Sequence, residues 1–255
     1  MQITEITNWL ELLGVMTKRE LKVRYKRTEL GFLWIVITPV FQMVVIGAIF
    51  QYLLASSIQN YFLYLLSGLL AWNYFSQTVL KNTPAIVNER HMINKSYFPR
   101  EIVVYSIAIA HFAHFVAGLA LLLVVSIVVG VQINLFFLFV GTILLFMLTV
   151  GTSLFFAAIN VRFRDTTFIV SMFFQLLFYF SPVIYSVTQL PSRLQMLVRF
   201  NPFVSILQLF QSSLAGSRYE TSPITIVYTI VFSLLSVAIG LYVFQKKSRT
   251  FDDWL

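Results

Sequence analysis

Hydrophobic residues in this chain arrive in long blocks separated by short polar breaks. Residues 31–54, 61–80, 102–129, 135–160 and 224–244 are apolar over stretches that reach or exceed the ~20 residues a helix needs to cross a hydrocarbon core. A further apolar block starts after the charged link VRFRD at 161–165. The pattern predicts an all-α integral membrane protein with six transmembrane helices, organised as a single transmembrane domain over residues 1–255. Ahead of the first block, Ile3, Ile6, Leu10, Leu13 and Met16 recur at helical spacing with Trp9 as an interfacial anchor. They predict an amphipathic helix lying on the membrane within residues 1–29, continued by the basic run KRELKVRYKR. Residues 187–221 break the pattern. Pro191, Asn201-Pro202 and Gly216 cut them into two pieces too short to span. They read as two short re-entrant helices between the fifth and sixth spans, against the alternative of a hairpin resting on the surface.

The fifth block is two-faced. Along residues 164–185, RDTTFIVSMFFQLLFYFSPVIY, an advance of about 100° per residue places Arg164, Thr167, Ser171, Phe174, Gln175, Phe178, Ser181, Pro182 and Tyr185 within an arc of roughly 120°. Ile169, Val170, Phe173, Leu176, Leu177, Phe180 and Ile184 occupy the other side, which lipid could accept. Polar groups at membrane depth are costly and turn toward a bundle interior or a water-filled path. Ser and Thr can also serve as helix–helix glue. Hydroxyls, an amide and aromatic rings alternating on one side favour the wall of a conduit.

Composition narrows the class. The 255 residues are 58% hydrophobic and 11% charged, with mean hydropathy +0.82, which excludes a soluble fold. A net charge of +8 could suggest a nucleic-acid partner, but the basic residues flank the apolar blocks. Fifteen of the 18 Lys and Arg residues fall in the N-terminal arm, the 81–101 loop, the 161–165 link and the tail. Only Arg193, Arg199 and Arg218 fall on the other side. The positive-inside rule therefore predicts both termini on the cytoplasmic side and no nucleic-acid partner. The first long apolar run begins after some thirty polar and charged residues, which speaks against a signal peptide. With no cysteine, disulfide, thiolate and Cys-ligated metal chemistry are excluded.

Other chemistries lack their residues. No Walker A pattern is present, so the chain is not expected to hydrolyse nucleotide, and no HExxH is present. His111 and His114 lie one turn apart in the third span, a pair too small for a metal site and better read as neutral histidines bonded to a neighbouring helix. The spans hold no carboxylate at depth of the kind a proton- or sodium-coupled pump uses. No nucleophile–base pair marks an intramembrane hydrolase. No internal repeat is visible, which disfavours an inverted-repeat transporter. The residues thus describe a conduit with no energy source of its own. A motor-driven permease, a passive channel, a secondary transporter and a membrane enzyme on lipid-linked sugars all remain open at this point.

Four motifs carry a resemblance. RYKRTELGFLW at 24–34 with Pro39, INVRFRD at 159–165, SPVIY at 181–185 and NPF at 201–203 resemble, in order and spacing, segments of type-2 ABC exporter permeases, in the branch that exports O-antigen, capsule or teichoic acid precursors. The resemblance covers essentially the whole chain. It implies a homodimer with two separate nucleotide-binding ATPase subunits beneath it, which use ATP and Mg, and no cofactor or metal bound by this chain. It implies a cargo glycan on a polyprenyl pyrophosphate lipid and residence in the cytoplasmic (inner) membrane among its lipids. It also places the ATPase contact in the 81–101 loop, where Glu89, Arg90 and His91 are the candidates.

A sugar cargo suits the side chains. Aromatic faces stack on sugar rings, and Ser, Thr and Gln bond hydroxyls weakly enough for sliding. The candidate path residues are Ser171, Phe174, Gln175, Phe178, Ser181 and Tyr185, with Trp34, Phe41, Trp72 and Phe75 from the first two spans. A pyrophosphate needs fixed cations near the cytoplasmic mouth, and Arg24, Arg27 and Arg164 are the candidates for that entry. Anchoring to ordinary headgroups is their alternative role.

Overall fold

Helix boundaries follow the chain's punctuation. The computed structural model describes residues 3–25, 29–54, 58, 60–93, 99–216, 223–251 and 254. The described residues form helices and turns, with no strand among them. α1 covers Ile3–Tyr25, and a 3-10 turn at Gly31–Leu33 leads into α2, Trp34–Leu54. α3 is Tyr61–Asn82, followed by two single-turn helices, α4 at Ala85–Asn88 and α5 at Arg90–Ile93. α6 is Glu101–Val128, α7 is Leu135–Asn160 and α8 is Thr166–Phe180. The short pair α9, Ser192–Arg199, and α10, Pro202–Ala215, precedes α11, Pro223–Ser248.

The ends of these elements have local causes. Gly130 ends the turn after α6 at φ 80°, and Gly216 ends α10 at φ 67°, both in the left-handed region that glycine tolerates. The Asn134 side chain accepts the Phe137 N–H at 3.1 Å and caps α7. Asn201 accepts the Phe203 N–H at 3.0 Å to start α10, with Pro202 in the first turn, where its missing N–H costs nothing. Ser186 and Gln189 form a reciprocal capping box around the 3-10 turn Val187–Gln189.

Among the described residues, three helices are long and apolar enough to cross a membrane: α6, α7 and α11 from Ile224. Two shorter apolar stretches, Ile37–Phe50 in α2 and Thr166–Phe180, accompany them. α3 is the hub. It packs against α2, α6, α7 and α10, and Leu65, Ala71, Thr78, Val79 and Asn82 are fully buried. Hydroxyls within these apolar surroundings bond back to their own helix, as Ser76 does to the Trp72 carbonyl and Thr149 to the Leu145 carbonyl. α7 and α11 meet most closely. A Cβ on Gly151 would fall inside the α11 backbone at Ser236 and Val237, and one on Gly240 would run into the Gly151 carbonyl. Small residues permit this approach, and van der Waals packing rewards it.

α10 is buried along nearly its whole length, with Phe203, Ile206, Leu207, Leu209, Phe210 and Leu214 in the main core, whereas α9 buries only Val198. The two pieces cut by Pro191, Asn201-Pro202 and Gly216 are therefore both helices, but only the second belongs to the core. α1 lies against the start of α6, where Trp9 meets Tyr105 edge-on at 6.1 Å and Met16 is buried.

Candidate functional site

α8 presents a buried seam that the periodicity did not centre correctly. Thr166, Val170 and Phe174, four residues apart, are buried, and Leu177 and Phe178 are partly buried against the core. Val170, expected on the lipid side, is only 1% exposed, whereas Phe173 is 52% exposed. Ser171 and Gln175 flank the seam and are exposed. The buried direction is set by the aromatic side chains of α3 that α8 packs against. Polarity marks the adjoining edge, where a cavity opens.

That cavity, about 400 Å³, lies between α2, α3 and α8. Its walls are Gln42 and Ile46 from α2; Leu69, Trp72, Asn73, Ser76 and Leu80 from α3; and Ser171, Phe174, Gln175, Phe178 and Tyr179 from α8. All of them are uncharged. Trp72 stands at the back, with ring centroids 5.4 Å from Phe178, 6.0 Å from Phe174 and 5.4 Å from Phe203. Phe75 stacks on Phe203 at 4.9 Å and 18°, and meets Phe174 at 5.1 Å. Offset and edge-on aromatic pairs of this kind each contribute ~0.5–1.5 kcal/mol beyond burial, so the wall is stiff. The Asn73 amide donates to Gln42 Oε1 at 2.8 Å and ties α3 to α2 at the rim. The site offers rings, hydroxyls and amides side by side, able to stack on and hydrogen-bond a neutral polyol.

The structure brings Trp72, Ser171, Phe174, Gln175 and Phe178 together on this cavity. Phe75 stands behind it in the aromatic cluster. Trp34 and Phe41 lie on an exposed stripe of α2 and are not among its walls. Ser181 is buried beyond the end of α8, where its hydroxyl accepts from Asn201 Nδ2 at 3.2 Å. Tyr185 donates to the Tyr179 carbonyl at 3.0 Å. These two build the corner after α8. Tyr64 Oη donates to the carbonyls of Pro182 and Tyr185, Tyr61 Oη to that of Ile184 and Gln211 Nε2 to that of Pro182, so α3 and α10 rivet the same corner. Sequence reasoning missed Gln42, Asn73, Ser76 and Tyr179. The signal was present for two of them, since Gln42 and Asn73 are amides inside apolar blocks.

Arg164 is exposed in the turn between α7 and α8. Arg24 falls in the last turn of α1, and Arg27 lies outside the described residues. In the segment after α3, Glu89 takes an ion pair from Arg19 of α1, and in the last turn of α3 Lys81 pairs with Glu20 of α1 at 2.5 Å. Arg90 and His91 are exposed. His111 Nδ1 sits 3.1 Å from Thr78 Oγ1 of α3, a bond to a neighbouring helix as its place in the third span predicts.

A helical membrane bundle with an uncharged, ring-lined cavity between its helices is the body of a permease. Residues 11–215 match the ABC-2 type transporter family, and the chain belongs to that family. It is 30% identical to the O-antigen export system permease protein RfbA of Myxococcus xanthus over 98% of both chains. It is 28% identical to an O-antigen export system permease protein RfbA of Klebsiella pneumoniae, covering 96% of this chain and 95% of that one. The polysialic acid transport protein KpsM of Escherichia coli is 22% identical over 91% of each.

Proposed function

We propose that this chain is the membrane subunit of an ATP-driven exporter that carries a polysaccharide on polyprenyl pyrophosphate across the cytoplasmic membrane, with O-antigen as the cargo. The uncharged aromatic and amide wall formed by Trp72, Phe178, Ser171, Gln175 and Asn73 is the observation that carries the reading. Sugar rings stack on such faces, and no fixed charge would hold a neutral glycan back. Gln42 and Asn73 already hydrogen-bond each other, so an arriving hydroxyl can exchange with that bond at small net cost.

In this reading the chain forms a homodimer. α2 and α8 each leave large apolar side chains exposed, among them Ile37, Phe41 and Val45 on α2 and Ile169, Met172 and Leu176 on α8. A second copy seated there would close the cavity into a channel. Six spans cross the membrane, α9 and α10 re-enter it from outside, and both termini face the cytoplasm, where fifteen of the 18 basic residues gather. Two ATPase subunits supply ATP hydrolysis with Mg and dock on the exposed Arg90 and His91. Arg164, with Arg24 and Arg27, receives the pyrophosphate.

The test compares Trp72→Ala and Phe178→Ala with Phe173→Ala at equal membrane abundance and equal ATPase binding. Surface glycan per permease should fall about 2- to 10-fold for each of the first two, the range expected from losing one stacking interaction. Phe173→Ala should change it less than twofold. Equal export by Phe178→Ala and the unaltered protein would overturn the assignment of this cavity. Export of capsule rather than O-antigen in a host lacking both systems would correct the cargo alone.

A further inference from the structure

A second cavity, about 440 Å³, lies at the far ends of α7 and α11 and under the folded-back tail. This is the end of the bundle that carries α1, since Arg100, at the start of α6, donates to the Ser248 carbonyl. Its rim holds three cations. Arg162 places its guanidinium 5.2 Å from the Phe163 ring centre and 5.1 Å from that of Trp254. Lys246 sits 5.7 Å from the Tyr242 ring centre, and Lys247 completes the rim. The floor is apolar, made by Ala158, Val161 and Phe251. The volume falls in the range of small-ligand sites.

These cations are held differently from Arg19 and Lys81 at the same end of the protein. Arg19 and Lys81 meet carboxylates, those of Glu89 and Glu20. Arg162 and Lys246 are positioned by aromatic faces instead. A ring attracts a cation without cancelling its charge. A guanidinium lying on a ring also keeps its N–H edge for a planar or tetrahedral oxyanion. Phe251, three residues before Trp254, is anchored. Phe251 is buried edge-on against Phe244 at 5.5 Å, and Arg100 lies 5.8 Å from its ring centre. Asp252 and Asp253 of the same tail lie outside the described residues. Trp254 and Tyr242 are both exposed, as aromatic residues at a membrane–water boundary are.

We propose that this groove is a seat for the phosphate headgroup of a membrane lipid, with Arg162, Lys246 and Lys247 on the phosphate and the floor under the glycerol or first isoprene carbons. Basic pockets between spans on the cytoplasmic side bind anionic headgroups. The cytoplasmic placement of this groove rests on the orientation proposed for the chain. The groove is separate from the α2–α3–α8 cavity and shares no lining residue with it. An acidic bilayer phospholipid and a polyprenyl pyrophosphate both carry the required chemistry.

The test is native mass spectrometry of the full-length purified chain with dioctanoyl phosphatidylglycerol, and with dioctanoyl phosphatidylcholine as the zwitterionic control. The unaltered protein should retain phosphatidylglycerol in preference to phosphatidylcholine. The triple variant R162Q/K246Q/K247Q should lose at least about tenfold in apparent affinity. A variant with equal charge loss on the other side, R193Q/R199Q/R218Q, should stay within about twofold. W254A removes only an exposed ring, so it guards against misfolding of the triple variant, and it should weaken retention about three- to fivefold by freeing Arg162. Displacement of phosphatidylglycerol by farnesyl pyrophosphate at equal concentration would assign the seat to the cargo's end. Failure to displace it would assign the seat to a bilayer phospholipid. Equal retention by the unaltered protein and both groove variants, or no preference for phosphatidylglycerol over phosphatidylcholine, overturns the proposal. Lipid retention needs no transport, so this outcome and the failure of the exporter reading are read separately.

Discussion

The α7–α11 seam and the α2–α8 side of the bundle are built on opposite rules. At the seam, Gly151 and Gly240 bring two backbones together, with Ser236 of α11 against Gly151. On the other side, α2 and α8 carry bulky Phe, Ile and Met residues that point away from their own chain. A helix pair in lipid gains little from apolar area alone, because the tails it leaves are equally apolar. Close approach through small residues is what makes a pair within one chain permanent. Large exposed side chains can face lipid or, in the proposed homodimer, a second copy. The difference separates a helix pair in backbone contact from the side of the molecule that borders the cavity.

The largest effect is expected at the seam. Gly240→Val or Gly151→Val drives a branched side chain into the opposing backbone, which cannot yield as a side chain would. Overpacking costs ~1–3 kcal/mol even where neighbours can adjust. These variants should fail to accumulate in membranes, and Gly14→Val, whose Cβ would meet no atom within 4 Å, should accumulate normally. Normal thermal stability of Gly240→Val, measured by scanning fluorimetry, would break the contrast from the rigid side.

An intermediate effect should appear on the open side. The chain has no cysteine, so single cysteines can be introduced without background. Under oxidation, cysteines at Ile169 or Met172 of α8 should join two copies into a disulfide-linked dimer in most of the population. A cysteine at Val124, equally exposed on α6, should not. Dimers of similar yield from Val124→Cys would show that exposure alone, and not a shared face, governs the coupling. The smallest effect concerns the tether between α1 and the loop after α3. Arg19 is 45% and Glu89 24% exposed, and exposed ion pairs contribute ~0.2–1 kcal/mol. Glu89→Gln should therefore lower the melting temperature by only a few degrees, about as expected for that energy. Arg90→Glu should leave stability alone and reduce co-purification of the ATPase subunit. The reverse pattern would place the motor contact on Glu89.

Much of this was legible in the chain itself. Residues 135–160 form one helix as the block predicts, and the breaks at Pro191, Asn201-Pro202 and Gly216 fall where α9 and α10 begin and end. Those boundaries are local, set by proline, glycine and asparagine chemistry. The cavity was only half legible. Hydroxyls and aromatics on one side of α8 pointed to Ser171, Phe174, Gln175 and Phe178, and all four line it. Yet a helical wheel sorts residues by polarity, whereas burial is decided by what lies opposite. Val170 is buried because α8 leans on the core, a direction that no property of α8 encodes. Asn73 and Gln42 become partners only when α2 crosses α3. Trp34 and Phe41, aromatic and well placed in their span, turn out on the exposed stripe of α2.

The corner from Ser181 to Tyr185 gives α8 an unequal pair of ends. Five polar contacts, from Asn201, Gln211, Tyr61 and twice from Tyr64, hold the corner, while near the opposite end a side-chain bond runs from Thr167 to Asn160. A rod held by more bonds at one end pivots most readily about that end. With 15 residues α8 is about 22 Å long, so a tilt of roughly 10° about the corner would carry the Thr166 end some 4 Å sideways and shift Phe178 by less than about 1 Å. A displacement at the 161–165 link would thus move the Thr166 end of α8 farthest, while the rings beside the corner keep their spacing.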